Sequence, residues 1–405
     1  MSLPPVVNNR DDPFAKPSRE YSVLPVGSWL LYPTVFFGAM YDDNVNQSPG
    51  PANRTSSPGG RIVPSLLAEA TDGIHKSTFY GMLDARGYTA NNTGNGDVVA
   101  ARSGFIQRYQ PLSDLVFTAQ ADYTRQRDLF STFGIDHSVT TLNPTAIGLS
   151  PVVNPLTYNQ GSVTATVQKN FDRAFVNFGA SVVDIVYDTD PLLLAPSPNG
   201  ITYTGVARGG FWFTPFLYAY AEGSADQRRF NNDMFNSSGY RTVAGIGSDQ
   251  IGLFRGEVYG GYQSQKHDFA PLGTVNGTVL GGRIYYYPTR DLTFSAAVDE
   301  SLGVSLLEVV PGALGTSTRA TTALAQATYA LAKEWAASAR FGFIHTTFVD
   351  TIRRDDAWTA GATVTYSVWQ NFGLTLDYQY VQLNSNVPLQ SFTRNVVMLG
   401  GTYKY

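Results

Sequence analysis

The chain has 405 residues, a formal net charge of −4, 15% charged and 13% aromatic residues, 24 Tyr, 24 Phe, 39 Gly and no Cys. Soluble proteins carry roughly 25% charged residues, so part of this surface faces something other than water. The lack of cysteine excludes disulfides, thiolate catalysis and cysteine-held metals, the acidic balance gives no reason to expect nucleic acid as a partner, and no run of about 18 uncharged apolar residues announces a membrane helix.

The chain begins "MSLPPVVNNRDDPFAKPSREYSVLPVG", without a basic region, apolar core and small-residue cleavage site. Residues 1–27 are read as an extended periplasmic segment, with Met1 and its neighbours standing in place of a removed signal peptide. From residue 28 the sequence falls into alternating stretches of about ten to fifteen residues divided by turn signals. Strands are expected near 28–42, 61–71, 76–89, 97–110, 114–127, 161–170, 173–187, 200–212, 215–226, 240–248, 251–264, 274–287, 291–300, 318–331, 334–348, 356–369, 372–383 and 391–405.

Short turns such as "TDGIH" (71–75), "QPLSD" (110–114), "FTPF" (213–216) and "WQNF" (369–372) alternate with long segments such as 43–61, 128–160, 189–200 and 301–316. That alternation is the pattern of an outer-membrane β-barrel with both termini in the periplasm, and soluble sandwiches do not share it. The expected fold is therefore all-β: one antiparallel transmembrane barrel over 28–405, of about eighteen strands, with sixteen as the fallback. In such a wall lipid-facing residues are diluted one for one by lumen residues, which explains an unremarkable mean hydropathy of −0.13.

Faces can be assigned from the period of two. In 76–88, Lys76, Thr78, Tyr80, Asp84 and Arg86 share one face, with Met82 the exception, and Phe79, Gly81, Leu83 and Ala85 share the other. In 356–369, Thr359, Gly361, Thr363, Thr365 and Ser367 oppose Trp358, Ala360, Ala362, Val364, Tyr366 and Val368. Aromatics gather near strand ends at Trp29, Tyr32, Phe211, Trp212, Tyr285, Tyr287, Trp335, Trp358, Trp369, Tyr403 and Tyr405, as interfacial girdles do. The final alternation, "NVVMLGGTYKY" (395–405), places Val397, Leu399, Tyr403 and Tyr405 toward lipid on a strand that closes against the first. It resembles the C-terminal assembly signal of outer-membrane proteins through Gly400, Tyr403 and Tyr405, departing from it at Met398 and in ending on Tyr.

The first strand, "PVGSWLLYPTVFFGAMYDDNVNQS" (25–48), preceded by "RDDPF" (10–14), resembles the start of the putative β-barrel porin 2 family of proteobacterial outer-membrane proteins over roughly the first fifty residues. The resemblance implies an outer-membrane component of a capsule or exopolysaccharide system, with periplasmic export partners and without catalytic residues. Outer-membrane lipid and lipopolysaccharide, and a hydrophilic solute or polysaccharide, are the other partners expected. A general or sugar-selective diffusion porin is the alternative, and an outer-membrane enzyme or a purely structural barrel is the other class.

For the enzyme reading, His75, His137, His267 and His345 stand alone, with no HExxH and no GxSxG. "YDDNVN" (41–46) gathers oxygen ligands for calcium in Asp42, Asp43, Asn44 and Asn46 but lacks the spacing and distal Glu of a dedicated loop. A solvated loop start is the expectation there, and likewise at Asp184, Asp188 and Asp190. No cofactor is expected.

The informative set is charged. Alternation points Lys76, Arg86, Arg102, Arg108, Arg208, Arg255, Arg283, Arg340 and Arg394 inward, together with Asp84, Asp122, Glu222, Glu257, Asp299 and Asp377. They are expected either to solvate and cross-pair the inside of the barrel or to form a selectivity lining. Inward tyrosines, among them Tyr80, Tyr218, Tyr220 and Tyr259, could stack on sugar rings. The 128–160 segment, rich in apolar residues, is expected to turn inward as a constriction or to lie over the mouth as a lid.

Overall fold

The computed structural model describes residues 23–50, 54–90, 98–126, 157–188, 199–304, 317–349 and 351–405. A short strand, β1 (Leu24–Val26), precedes β2 (Trp29–Asp42), β3 (Ser57–Thr71), β4 (His75–Tyr88), β5 (Val98–Leu112), β6 (Leu115–Gln126), β7 (Tyr158–Asn170), β8 (Ala174–Tyr187), β9 (Gly200–Trp212) and β10 (Leu217–Phe230). The second half holds β11 (Ser237–Ile251), β12 (Phe254–His267), β13 (Thr274–Tyr286), β14 (Leu292–Val304), β15 (Ser317–Ala330), β16 (Trp335–Phe348), β17 (Arg354–Trp369), β18 (Phe372–Ser385) and β19 (Phe392–Lys404). From β2 onward every strand pairs antiparallel with its chain neighbours, and β19 returns to β2 with Val396 opposite Asp42 and Lys404 opposite Thr34. The sheet is a closed barrel of eighteen strands.

Closure leaves a gap that β1 fills. β19 covers β2 only from Thr34 to Asp42, and the Tyr405 N–H donates to Pro33 O at 3.2 Å. Below that point β1 folds back through Gly27, at φ 60°, and pairs Leu24 with Leu31 and Val26 with Trp29. The exposed backbone edge of β2 is thereby satisfied.

The short connections are built from side chains that cap their own turns. The His75 N–H donates to Asp72 Oδ1 at 2.8 Å beside Gly73 at φ 92°, and the N–H groups of Leu217 and Leu292 donate to the hydroxyls of Thr214 and Thr289 at 3.0 and 3.1 Å. Beside another such turn, Lys169 Nζ lies 2.5 Å from Asp114 Oδ2 and holds that exposed carboxyl below its ordinary value.

One face of every barrel strand is apolar and exposed, as Phe37, Ile62, Leu83, Val163, Val258, Leu280, Phe341 and Leu399 illustrate. Aromatic rings band this outer face near the short turns. Phe254 stacks on Tyr286 at 4.5 Å between centroids, Tyr286 on Phe294 at 6.1 Å, and Trp335 packs on Tyr366 at 4.6 Å. Toward the long loops a second set, including Tyr41, Tyr203, Tyr240, Tyr262 and Trp358, is exposed on the same face. On β17 the two bands are eight residues apart, Trp358 to Tyr366. That is about 26 Å along the strand and roughly 20 Å along a tilted axis, close to the apolar height of an outer membrane. Four residues placed in the girdles by sequence leave them: Tyr32, Trp212 and Tyr285 point inward and Tyr287 stacks on Tyr285, because Leu31, Phe211 and Tyr286 hold the outward positions beside them.

Inward glycines seat inward rings. Tyr80 lies opposite Gly104, Phe175 opposite Gly210, Tyr220 opposite Gly245, Tyr218 opposite Gly247 and Tyr259 opposite Gly281. A Cβ at Gly281 would meet the Tyr259 ring at 2.5 Å, and one at Gly245 would meet the Tyr220 ring at 2.8 Å. Each ring lies flat on its neighbour's bare backbone instead of projecting into the lumen.

All eighteen expected strands are present, and apart from the β11–β12 turn, which falls at 252–253 instead of 249–250, the larger differences sit at the long-loop ends. There β3 starts at Ser57, β11 at Ser237 and β17 at Arg354, while β10, β12 and β14 run on to Phe230, His267 and Val304. The apolar alternation stops where the outer face leaves the hydrocarbon, but the hydrogen-bond ladder continues.

Candidate functional site

The site is the inner wall, and the register fixes which side chains share it. Lys76 faces Arg108, Arg208 faces Glu222, Glu257 faces Arg283, and these pairs lie on the face opposite the exposed apolar residues. The same parity carries Arg86, Arg102, Arg255, Arg340, Arg394, Asp84, Asp122, Asp299, Asp377, Tyr218 and Tyr220 onto that face. All seventeen residues named from alternation point inward. The same face holds charges that the sequence reading missed: Asp42, Arg61, Glu69, Asp226, Arg228, Arg241, Asp249, Asp355 and Lys404. Arg228, Asp249 and Asp355 sit one or two residues past the expected strand ends, whereas the other six lie inside expected strands, where the same alternation already sets them inward.

The inner charges form networks that reach across the concave wall. Arg208 Nε donates to Glu222 Oε2 at 2.7 Å on the adjacent strand, and Nη1 donates to Glu257 Oε2 at 3.2 Å three strands away. Arg241 Nη2 donates to Asp299 Oδ1 at 2.6 Å, also three strands away, where the Tyr259 hydroxyl donates at 2.7 Å. Arg340 Nη2 and the Thr363 hydroxyl both donate to Asp377 Oδ1, at 2.7 and 2.5 Å. Asp84 accepts from Arg61 and Arg86 together, each Nη2 lying 2.7 Å from Oδ2. Lys76 Nζ lies 3.1 Å from Glu69 Oε1.

The tyrosines are covered rather than offered. The Arg208 guanidinium lies 4.2 Å from the Tyr220 ring centre, Arg241 lies 5.5 Å from Tyr259, and Arg102 lies 5.6 Å from Tyr80. With backbone beneath and guanidinium above, Tyr80 and Tyr220 are buried, and Tyr218 is buried against the rings of Phe175 and Trp212. A solute passing this wall meets the cation before the ring, so stacking of sugars on Tyr220 is blocked.

At the long-loop mouth the expectation of a solvated loop start is overturned: Asp42 and Asn44 are fully buried. Asp42 Oδ2 accepts from Arg394 Nε and Nη2 at 3.0 and 2.8 Å and from the Tyr88 hydroxyl at 2.9 Å. Asp43 accepts from the Asn395 N–H and Nδ2 at 2.6 and 2.7 Å, and Asn44 Nδ2 donates to Thr393 O at 2.9 Å. These oxygens fasten the first loop to the last strand instead of facing a cation. Beneath them Phe36, Met40, Val45, Val63, Tyr88 and Met398 make an apolar cluster on the inner wall, which accounts for Met82 and Met398 facing inward.

Ser317 Oγ and His267 Nε2 lie 2.7 Å apart, both buried, and His267 Nδ1 has no hydrogen-bond partner. Among the described residues no group orients the imidazole as the third member of a hydrolytic triad does. His345 Nδ1 lies 2.6 Å from Asp356 Oδ1 in a cross-strand pair on the outer face. The 128–160 constriction falls largely outside the described residues.

A closed antiparallel barrel, apolar and banded with aromatics outside, polar and ionised inside, is a transmembrane channel of the bacterial outer membrane. The chain belongs to the family described as Putative beta-barrel porin 2, whose model matches residues 22–405. No curated protein matches it. Among solved structures it is similar to OpdQ from Pseudomonas aeruginosa, at 9% identity over 94% of this chain and 98% of that one, with a TM-score of 0.47. It is also similar to OccAB4 from Acinetobacter baumannii, at 10% identity over 93% and 98%, TM-score 0.45. The siderophore receptor PirA from Pseudomonas aeruginosa matches at 9% identity over 94% and 81%, TM-score 0.43.

Proposed function

We propose that this outer-membrane channel is the exit for a secreted polysaccharide, with the long loops outside the cell and the short turns, residues 1–27 and both termini in the periplasm. The observation that carries the reading is the chemistry of the inner wall between the charged networks. On β6–β8 it presents Thr118, Gln120, Ser162, Thr164, Thr166 and Ser181, and on β15–β17 it presents Thr322, Gln326, Thr328, Thr359, Thr363 and Thr365. Hydroxyls and amides both donate and accept, which suits a polyhydroxylated chain sliding past without a fixed register. Eighteen strands enclose a lumen too wide for wall side chains to fill.

Deleting the gene in an encapsulated strain should abolish surface polysaccharide while periplasmic polymer accumulates. Unchanged capsule together with slower uptake of small sugars would make the chain a diffusion porin instead. Epitope tags inserted at 268–273 or 386–391 should be labelled on intact cells, and tags at 113–114 or 370–371 should not. The reverse labelling would overturn the orientation.

A further inference from the structure

We infer that strands β3–β5 form an anion lane, a stretch of lumen wall that binds carboxylate- or phosphate-bearing solute on its way through. The inference rests on the channel reading for its traffic, but it concerns where charge is placed. Among the described inward-facing residues, β9–β14 carry five cations and five carboxylates: Arg208, Arg228, Arg241, Arg255 and Arg283 against Glu222, Asp226, Asp249, Glu257 and Asp299. The wall from β15 through β19 to β2 carries Arg340, Arg353, Arg394 and Lys404 against Asp42, Asp355 and Asp377, and β6–β8 carry Asp122. On β3–β5 there are five cations, Arg61, Lys76, Arg86, Arg102 and Arg108, against Glu69 and Asp84. Among the described residues most of the positive excess of the inner wall, three charges, lies in this one sector.

The register gives a second, independent sign. Arg61 is directly opposite Arg86, and Lys76 is directly opposite Arg108, on the same inner face. Like charges in direct cross-strand pairs are destabilising, and the wall holds two such pairs on three adjacent strands. Asp84 answers the first by taking both guanidiniums, and a further N–H of Arg61 goes to Met398 Sδ at 3.7 Å, a weak acceptor. Arg102, opposite Met82 on β4, stands between the two pairs along the wall. The cations thus run from the long-loop end at Arg61 and Arg86, past Arg102, to the short-turn end at Lys76 and Arg108. Fixed charge of one sign along a path raises the local concentration of the opposite sign and sets which ions pass.

The test compares two variants of the full chain, each checked for folding by its mobility on unheated gels. In planar bilayers under a KCl gradient at low ionic strength, where screening is weak, the unaltered protein should prefer chloride. Arg61→Gln, Arg102→Gln and Arg108→Gln together should lower the anion-to-cation permeability ratio several-fold. The neutral pair change Arg241→Gln with Asp299→Asn should leave that ratio unchanged. A triple variant that retains the ratio, or a pair variant that shifts it equally, overturns the lane.

A barrel that conducts in neither form would count against the channel reading, and the lane is then read by binding. Fluorescence anisotropy of the anionic dye pyranine on detergent-folded protein should show saturable binding, competed by inorganic phosphate and by glucuronate but not by glucose. The triple variant should bind at least tenfold more weakly, and equal binding by both proteins overturns the inference.

Discussion

Replacing Arg208 by leucine is expected to destabilise the folded barrel by about 3–5 kcal/mol, the loss seen when one member of a buried ion network is removed. The Arg208 side chain is 2% exposed, and the carboxylates it holds, on Glu222 and Glu257, are 5% and 1% exposed. Glu222 would be left without its guanidinium and Glu257 with only that of Arg283, 3.6 Å from Oε1, and Tyr220 would lose the cation stacked 4.2 Å from its ring centre. The measurement is urea-dependent unfolding in detergent or the temperature at which the compact gel band is lost. Adding Glu222→Gln and Glu257→Gln should recover most of the loss, because neutral amides do not require the guanidinium. A drop below about 1 kcal/mol for Arg208→Leu would mean that water already reaches both carboxylates, as at an exposed pair.

Arginine in place of Leu399 is expected to cost about 2–4 kcal/mol and to reduce the folded fraction recovered in outer membranes, since this position faces lipid inside the apolar band. Leu399 is 59% exposed on the outer face and lies between Leu376 and Ala39 in the sheet. The control is Thr166→Arg, an inward position directly opposite Thr118 and Gly179, which should assemble normally. Equal loss at the two positions would show that the cost comes from added bulk in a strand and not from the lipid.

Strand positions and faces were legible because a sheet that meets lipid on one side and water on the other must alternate at every residue, and one residue misplaced is visible at once. Val396, Met398 and Gly400 could be set inward and Val397, Leu399 and Gly401 outward from that rule alone, and the inward set named from it needed no revision of direction. Partners were not legible. Whether Arg208 meets Glu257, or Arg241 meets Asp299, depends on the stagger accumulated over three strands, and no local pattern records it. The burial of Asp42 and Asn44 was hidden for a related reason: their partners, Arg394 and Thr393, lie at the other end of the chain. Strand ends in the long-loop direction were underestimated because residues such as Arg229, Lys266 and Arg354 meet water on the outer face, where polarity no longer distinguishes strand from loop.

The contact between Asp42 and Arg394 joins residues 352 positions apart, so it can form only after every intervening strand has taken its place. A slip of one residue between any two neighbours from β2 to β19 inverts the faces of all strands that follow. At the seam Asp42 would then meet the back of its partner strand, with Arg394 turned to lipid. The seam is therefore a checksum on the whole sheet: an assembly intermediate with a single register error lacks its last ion pair and stays open at the point where a quality-control protease could enter.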